Sequence, residues 1–372
     1  MFERPEGIEN CRIWVDGCFD FAHHGHAGAM LQARQLGKEL YVGVHSDEDI
    51  LINKGPTVMR LDERITAVEA CKWTTKAIPD APYVTDPKFM DKYGCPYVVH
   101  GDDITTDANG EDCYQEVKDL GRFVVVKRTP NISTTDLVGR MLLMSKEHHY
   151  PTIAKSTEKL LSEDNLDRFK RYATDQTGLK PGSGVYLNRG EALEEIVAPF
   201  GNKDDNNVVY IDGGFDLFHP GHIEVLKIAH EEAGKLGAKV IVGIHDDAVV
   251  NEYKGLNYPI MNILERALCV LQCRYVDGII LGAPYKPTPE FLKKLGKSKI
   301  VKVYHGPTEI DEGVYDEIDP SIFGKIGKHK YDNMNTEFIV NRVLANKQAY
   351  EERQKRKGWK AEVEKKLKEN EK

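Results

Sequence analysis

One stretch of this chain occurs twice, and it constrains the fold more than any other feature. Residues 14–26 read Trp-Val-Asp-Gly-Cys-Phe-Asp-Phe-Ala-His-His-Gly-His, and residues 209–222 repeat the pattern with Asp, Gly, Phe, Asp, His, Gly and His at a constant offset of 196. Each copy runs from an apolar strand through a glycine turn into a helix. Such a turn directs backbone N–H groups and the positive end of a helix dipole at one point, which suits a phosphate.

The first copy carries two histidines, His23 and His26, at this turn. Imidazoles placed there can donate hydrogen bonds to phosphate oxygens, and Gly25 lets the backbone approach closely because it has no Cβ. A bare His-x-Gly-His pattern is also typical of an ordinary helix N-terminus with two incidental histidines. Its recurrence with the flanking residues favours the functional interpretation.

The repeat extends beyond the turn. Gly43-Val-His, followed by Lys54-Gly55, aligns with Gly243-Ile-His and Lys254-Gly255 at offset 200, and Glu63-Arg64 aligns with Glu265-Arg266 at offset 202. The offset changes only where loops can absorb insertions. The sequence therefore predicts a tandem duplication of a whole domain and not a short-period solenoid.

Strands and helices alternate along the first copy. We predict strands at 12–15, 39–45, 77–78, 97–100 and 123–127 and helices at 25–36, 61–73 and 137–144. This alternation predicts right-handed crossovers and a parallel sheet, hence an α/β fold with two tandem Rossmann-like domains. The predicted boundaries are a first domain at 1–146, an ordered but irregular linker at 147–206, a second domain at 207–346 and a charged, solvated helical tail at 347–372.

Composition excludes several classes of protein. A length of 372 residues accommodates two cores, and a net charge of −8 argues against nucleic-acid binding. No run approaches the roughly 18 apolar residues of a membrane span, and the N-terminus lacks a signal-peptide core. The seven cysteines are odd in number and scattered, which predicts reduced thiols and no paired zinc motif. We expect a cytoplasmic protein without stable membrane insertion; peripheral membrane association and a homodimer stay open.

Three further groups have chemistry that suits a nucleotide site. Lys54 precedes Gly-Pro in a loop, where it is either a solvated surface residue or a mobile cation for phosphate, and its recurrence as Lys254 favours the second. His100-Gly-Asp-Asp103 follows a strand, so its carboxylates either bind a nucleoside or Mg²⁺, or cap a turn. Arg128-Thr-Pro-Asn-Ile-Ser-Thr-Thr135 precedes a helix, as a helix cap or a triphosphate cradle.

No nucleophile paired with a base stands out in the sequence. Cys18 lies close to the histidines, but Gly214 replaces it in the second copy. Basic and hydroxyl donors without a nucleophile predict in-line displacement at phosphorus, in which the protein positions the reactants and stabilises charge.

With these residues, the chain resembles the cytidylyltransferase family of nucleotidyltransferases over residues 9–145 and 207–345. His23–His26 matches the family's HxGH motif, and 128–135 matches its RTxGIST motif except that Asn131 replaces the glycine. The resemblance implies CMP transfer from CTP with Mg²⁺. The tandem layout is similar to members that act on phosphoethanolamine, giving CDP-ethanolamine and pyrophosphate without a covalent enzyme intermediate.

The resemblance also implies residue roles. It assigns catalysis to His23, His26, Lys54 and Arg128, and phosphoethanolamine binding to Asp20, Lys54 and Tyr83, whose ring would lie beside the amine. No protein residue is assigned as a metal ligand. Thr75 departs from the family pattern and removes a carboxylate from the amine site. The CTP-binding residues that it implies are Gly17, Cys18, Phe19, Asp20, Gly25, His100, Gly101, Asp102, Asp103, Thr129, Ile132, Ser133 and Thr134.

The second copy keeps His219, His222 and Lys254, but Gly306-Pro-Thr308 replaces Gly-Asp-Asp, and 331–336 lacks the arginine and the hydroxyl cluster. We predict that it does not bind CTP productively and has a structural or regulatory role.

Three other interpretations of the chain stay open. One is a related enzyme for phosphocholine, glycerol phosphate or phosphopantetheine, and another is a nucleotide-sensing pseudoenzyme. The third is a class I aminoacyl-tRNA synthetase, which Met144-Ser-Lys146 suggests and the acidic net charge opposes.

Overall fold

A computed structural model of the chain describes residues 4–130, 132–200, 207–295, 298–352 and 355. Asn131, where the sequence departs from the RTxGIST motif, and most of the predicted tail at 347–372 lie outside these ranges. The chain divides into two compact units. The first comprises residues up to Leu142 together with the chain from Ile339 onward, and the second comprises Leu143–Phe338.

The first unit is built on a parallel sheet of five strands in the order β3-β2-β1-β4-β5. This order and direction confirm the predicted α/β fold. The elements, in chain order, are β1 (Arg12–Gly17), α1 (His24–Leu36), β2 (Glu39–His45), α2 (Asp47–Asn53), α3 (Leu61–Ala70), β3 (Lys76–Ala81), α4 (Pro87–Lys92), β4 (Tyr97–Gly101), α5 (Gln115–Asp119), β5 (Phe123–Val126) and α6 (Thr134–Leu143).

Close packing explains why the glycine of Gly-Val-His recurs. A Cβ on Gly43 would lie 2.3 Å from the Trp14 ring, so only glycine lets the aromatic side chain of β1 lie across β2. The Trp14 indole donates to the Asp16 carboxylate over 2.9 Å at the carboxyl end of β1. In the second unit, Gly243 and Tyr210 form the same pair.

The second unit repeats this sheet and extends it. Its strand order is β12-β11-β8-β9-β10-β6-β7, in which β10-β9-β8-β11-β12 has the connectivity of the first sheet. The elements are α7 (Ile153–Leu160), α8 (Glu163–Tyr172), β6 (Gly184–Asn188), β7 (Leu193–Val197), β8 (Asn207–Gly213), α9 (Pro220–Lys235), β9 (Ala238–Ile244), α10 (Asp247–Lys254), α11 (Ile263–Leu271), β10 (Gly278–Leu281), α12 (Pro289–Lys293), β11 (Lys299–His305), β12 (Phe323–Lys325) and α13 (Thr336–Ala345).

Within the linker that the sequence predicts at 147–206, the described residues 147–200 contribute to the second sheet. β6 pairs in parallel with β10, and β7 pairs antiparallel with β6, so this segment supplies two strands of the second sheet. The segment's weak periodicity hid these strands, because β10, which joins β6 to the sheet, lies about ninety residues further along the chain, and β7 pairs only with β6.

The described residues from Ile339 onward belong to the first unit, although the sequence predicts that the second domain extends to residue 346. Arg342 binds the buried Glu63 carboxylate through two contacts of 2.7 and 2.8 Å and also donates to the Val58 carbonyl. Tyr350 is buried and donates to the Thr57 carbonyl over 2.9 Å, so this side chain anchors a helical part of the tail whose other side chains are mostly exposed.

Candidate active site

The predicted residues of the first unit meet in one cleft of about 350 Å³. It lies at the carboxyl ends of β1 and β4, where the N-termini of α1 and α6 also point. The predicted residues that line it are Gly17, Cys18, Phe19, Asp20, His23, Gly25, His26, Lys54, His100, Gly101, Asp103, Arg128, Thr129, Ile132, Ser133 and Thr134. Asp102, which is exposed, and Tyr83, which is buried, are predicted site residues that do not line it.

The two histidines form a stacked pair at the start of α1. Their ring centroids are 3.9 Å apart with an interplanar angle of 15°. The His23 Nδ1 accepts from the backbone N–H groups of Gly25 and His26, so the neutral ring carries its proton on Nε2. Burial lowers the pKa of His23 well below its ordinary value and that of His26 to about 4. At neutral pH both are therefore uncharged hydrogen-bond donors.

The turn that holds them leaves no room for a larger residue at position 25. A Cβ on Gly25 would lie 2.7 Å from Ile132 and 2.9 Å from the His23 ring. Phe19 and Phe21 adopt left-handed backbone conformations, with φ of 51° and 49°. Bulky residues rarely adopt such conformations, and they concentrate at functional sites.

Lys54 follows the last residue of α2 and lines the cleft. Its Nζ lies 5.8 Å from the centroid of the Tyr83 ring, which in turn lies 5.0 Å from the His45 ring. Burial raises the pKa of the Tyr83 hydroxyl, which keeps it neutral. Tyr83 is therefore an aromatic neighbour of the Lys54 ammonium.

The side of the cleft formed by Asp103 and Arg128 carries an ion pair. The Arg128 guanidinium lies 3.1 Å from the Asp103 carboxylate, and both side chains are about half exposed. Asp102 accepts from the Arg128 backbone N–H over 3.3 Å. Ser133 accepts from the Asp136 N–H at the start of α6 and donates to the Asp136 carboxylate, so it caps the helix while it lines the cleft.

Two predicted ligand-binding residues are engaged within the protein. The Asp20 carboxylate accepts from the N–H groups of Val58 and Met59, at distances from 2.8 to 3.2 Å, and so holds the loop that follows Lys54. The Thr134 hydroxyl donates to the Asp20 carbonyl over 2.7 Å. Both residues line the cleft, and both shape its wall through these bonds.

Two buried residues that the sequence did not single out as functional support the site. The Arg64 guanidinium donates to the carbonyls of Cys18 and Met59 and to the Asp47 carboxylate. Asp16 accepts from Trp14 and also from Thr85 and Tyr114. Their recurrence as Arg266 and Asp212 was the available signal. Asn53 and Thr105, which also line the cleft, left no comparable signal.

The second unit has a corresponding cleft of about 390 Å³ with the same supporting bonds. Asp216 accepts from the N–H groups of Ile260 and Met261, and the Thr336 hydroxyl donates to the Asp216 carbonyl. Thr336 thus keeps the bond of Thr134, although the sequence predicted that the hydroxyl cluster was lost. Ser133 is replaced by Asn335, which caps α13 through the Phe338 N–H.

The side of the second cleft that corresponds to Arg128 and Asp103 differs. Thr336 corresponds to Thr134, so Lys330 stands at the position of Arg128, and its Nζ lies over the Tyr331 ring at 4.6 Å. Pro307 and Thr308 line the cleft in place of the two aspartates. The described part of this cleft therefore contains no counterpart of the Arg128–Asp103 ion pair.

Among the described residues, no helix is long and apolar enough to cross a membrane. All seven cysteines are free.

Comparisons with known proteins agree with the resemblance. A family model described as cytidylyltransferase-like matches residues 14–140 and 210–312. The chain is 41% identical to the ethanolamine-phosphate cytidylyltransferase of Dictyostelium discoideum, covering 93% of this chain and 94% of that protein. It is 40% identical to the Mus musculus protein of that name, with coverage of 93% and 89%. Similarity to the choline-phosphate cytidylyltransferase A of Mus musculus spans only 38% of this chain. The chain belongs to the ethanolamine-phosphate cytidylyltransferase family of nucleotidyltransferases.

Proposed function

We propose that the first cleft transfers CMP from CTP to phosphoethanolamine, giving CDP-ethanolamine and pyrophosphate. The observation that carries this proposal is the convergence of His23, His26, Lys54 and Arg128 on one cleft. Two neutral donors and two cations suit a reaction in which negative charge is spread over phosphate oxygens.

In this proposal the reaction is a direct displacement. A phosphate oxygen of phosphoethanolamine attacks the α-phosphorus of CTP, and the bond from that phosphorus to the bridging oxygen of the β-phosphate breaks as pyrophosphate leaves. The cleft supports this step because its described residues include hydrogen-bond donors and no nucleophile activated by a base. Cys18 lines it, but burial leaves His23 and His26 with low pKa values, which makes them weak bases.

Each catalytic side chain has a distinct task in this scheme. The Nε2–H of His23 and the neighbouring His26 donate to CTP phosphates. Lys54, as a mobile point charge, bridges the attacking phosphate and the α-phosphate. Arg128 exchanges its exposed contact with Asp103 for the triphosphate, which it can bind with two parallel hydrogen bonds. Asp103 is then released toward the nucleoside.

The amine of the substrate is assigned to the surroundings of Tyr83. The ring lies 5.8 Å from the Lys54 ammonium, which in this scheme binds the substrate's phosphate, and this proximity supports the ring as a neighbour of the amine on the same small substrate. The full-length similarity to ethanolamine-phosphate cytidylyltransferases, against the partial similarity to a choline-phosphate enzyme, supports phosphoethanolamine over phosphocholine.

We propose that Mg²⁺ enters with CTP. Among the described residues, no group of three or more His, Cys, Asp or Glu side chains is arranged to hold a metal ion. Mg²⁺ in nucleotide sites is often held largely by phosphate oxygens and water, and it would neutralise phosphate charge there. The seven free thiols support a cytoplasmic location.

The test is pyrophosphate release from CTP with phosphoethanolamine or phosphocholine as acceptor. We expect phosphoethanolamine to be preferred, and we expect Lys54→Met to lower kcat/KM by at least about a hundredfold. Lys38→Met, which removes an exposed lysine outside the cleft, is the matched control and should leave the rate unchanged. A preference for phosphocholine, or a Lys54→Met enzyme of normal activity, would overturn the proposal.

A further inference from the structure

The cleft of the second unit contains a buried histidine whose ring has no hydrogen-bond partner. His219 is 2% exposed, and neither of its ring nitrogens has a hydrogen-bond partner. Buried polar groups in folded proteins are almost always paired, because leaving one unpaired is unfavourable. In the first unit, the corresponding His23 caps α1 through Nδ1. His219 lines a cleft of about 390 Å³, so a ligand in that cleft is the available partner.

One part of this cleft is suited to a phosphate. His219 and His222 are stacked with their ring centroids 3.7 Å apart at the N-terminus of α9, a helix of 16 residues. Lys254 lines the same cleft. Lys254 is an exposed residue, but burial of its ammonium group lowers the pKa of that group. A helix N-terminus, two imidazole donors and a lysine together form an anion site.

Another part is suited to an ammonium group. Tyr253 and Tyr285 are stacked with their centroids 4.9 Å apart, and the Tyr285 hydroxyl donates to the Asp311 carboxylate over 2.6 Å. All three residues line the cleft. Gly214 makes room for Tyr253, since a Cβ there would lie 2.9 Å from the Tyr253 hydroxyl. Aromatic faces with an adjacent carboxylate attract an organic cation.

The replacement of Cys18 by Gly214 therefore accompanies the replacement of Asn53 by Tyr253. Tyr285 is the counterpart of Tyr83, since each follows Ala-Pro at the end of the corresponding strand. The phosphate and amine features are thus retained or enlarged, whereas the Arg128–Asp103 pair has no counterpart among the described residues of the second cleft. These features suit a ligand that carries a phosphate and an amine but is not a nucleotide.

We propose that the second cleft binds a small phosphorylated amine, with its phosphate at His219, His222 and Lys254 and its ammonium at Tyr285, Tyr253 and Asp311. The ligand is held there without turnover. The proposal depends on the geometry of the second cleft and stands apart from the reaction assigned to the first.

Calorimetric titration of the full chain with phosphoethanolamine tests the proposal. Lys54→Met disables the first cleft, and we expect this variant to bind one equivalent of phosphoethanolamine. Adding His219→Ala should weaken that binding by at least about tenfold, whereas adding Lys235→Ala, on the exposed face of α9, should leave it unchanged. If the Lys54→Met protein binds no phosphoethanolamine, the proposal is overturned.

Two further titrations separate the two halves of the site. Asp311→Asn should weaken the binding of phosphoethanolamine and leave that of inorganic phosphate unchanged, while His219→Ala should weaken both. Equal effects of Asp311→Asn on both ligands would refute the amine site. CTP binding at the second cleft as tight as that of phosphoethanolamine would refute the choice of ligand.

Folding and turnover controls keep the outcomes distinct. Because the His219 ring makes no hydrogen bond, His219→Ala should not lose the cooperative unfolding transition, and His219→Asn provides a second variant that keeps polarity. Turnover by the wild-type chain tests the first cleft separately. Turnover with phosphoethanolamine but no binding to the Lys54→Met protein would contradict only the second-site proposal.

Discussion

The paired substitutions Asp20→Asn and Asp216→Asn separate support of the active site from support of the fold. Each carboxylate is buried and holds two consecutive backbone N–H groups, Val58 and Met59 in the first unit and Ile260 and Met261 in the second. An asparagine has one carbonyl oxygen, and its NH₂ group faces an N–H that the second carboxylate oxygen formerly accepted.

The cost follows from these contacts. Losing one charge-assisted bond and leaving a buried N–H unpaired costs about 2–3 kcal/mol. For units of this size, that corresponds to a decrease in Tm of roughly 5–10 °C. We expect a similar loss for both variants, because the two carboxylates make equivalent bonds.

Activity should distinguish the two variants. The loop released by Asp20→Asn follows Lys54, so its displacement misplaces a catalytic cation, and we expect kcat/KM to fall at least about tenfold. Asp216→Asn should stay within about twofold of wild type at a temperature where both proteins are folded. Steady-state pyrophosphate release and thermal unfolding are the measurements. Equal activity losses, or a higher KM for Asp20→Asn at unchanged stability, would refute a loop-holding role.

Three other perturbations have defined outcomes. Gly25→Ala should lower turnover at least about tenfold, because the added Cβ would meet Ile132 and the His23 ring. The control Gly234→Ala, whose Cβ would meet nothing within 4 Å, should fold and turn over normally. A fully active Gly25→Ala enzyme would contradict the packing argument. Arg342→Ala removes one of the two arginines paired with the buried Glu63 carboxylate and leaves Arg60, so urea unfolding should show a decrease of about 2–3 kcal/mol in the free energy of unfolding. Adding Glu63→Leu to this variant should restore part of that stability. An unchanged free energy of unfolding for Arg342→Ala would show that the ion pair does not stabilise the fold. Burial lowers the pKa of His26 and His245 to about 4 and that of His222 to about 3, whereas the ordinary histidine pKa is 6.5, so below about pH 6.5 the unfolded chain binds more protons than the folded one. The free energy of unfolding should therefore decrease by roughly 1.4 kcal/mol per histidine for each unit by which the pH is lowered. Burial raises the pKa of Asp212 to about 7, so this single group opposes the decrease, and a constant free energy of unfolding between about pH 6.5 and 5 would contradict the assignment.

Much of the fold followed from the repeat. The constant offsets around His23 and Lys54 indicated two copies, and the alternation of strands and helices predicted parallel sheets, which the common strand order confirms. The convergence of the HxGH turn with Arg128 and Ser133 was also predictable, because all of them follow strands whose carboxyl ends share one edge.

The pairing of strands that are distant in sequence and the hydrogen-bond partners of individual side chains were not predictable. β6 and β7 lie in a segment of weak periodicity, and only pairing with β10 gives them a place in the sheet. The sequence shows that Asp20 lies beside the histidines, but not that its oxygens accept from Val58 and Met59. The exchange of Asn53 for Tyr253 with Cys18 for Gly214 becomes meaningful only when the two positions are seen in contact.

We assign the reaction to the first cleft and not to the second. CDP-ethanolamine formation by His23→Ala and His219→Ala at saturating CTP and phosphoethanolamine tests this assignment. We expect a loss of roughly 10²–10³-fold in kcat for His23→Ala and near wild-type kcat for His219→Ala. If folded His219→Ala lost turnover as completely as His23→Ala, the assignment of catalysis to the first cleft alone would be wrong.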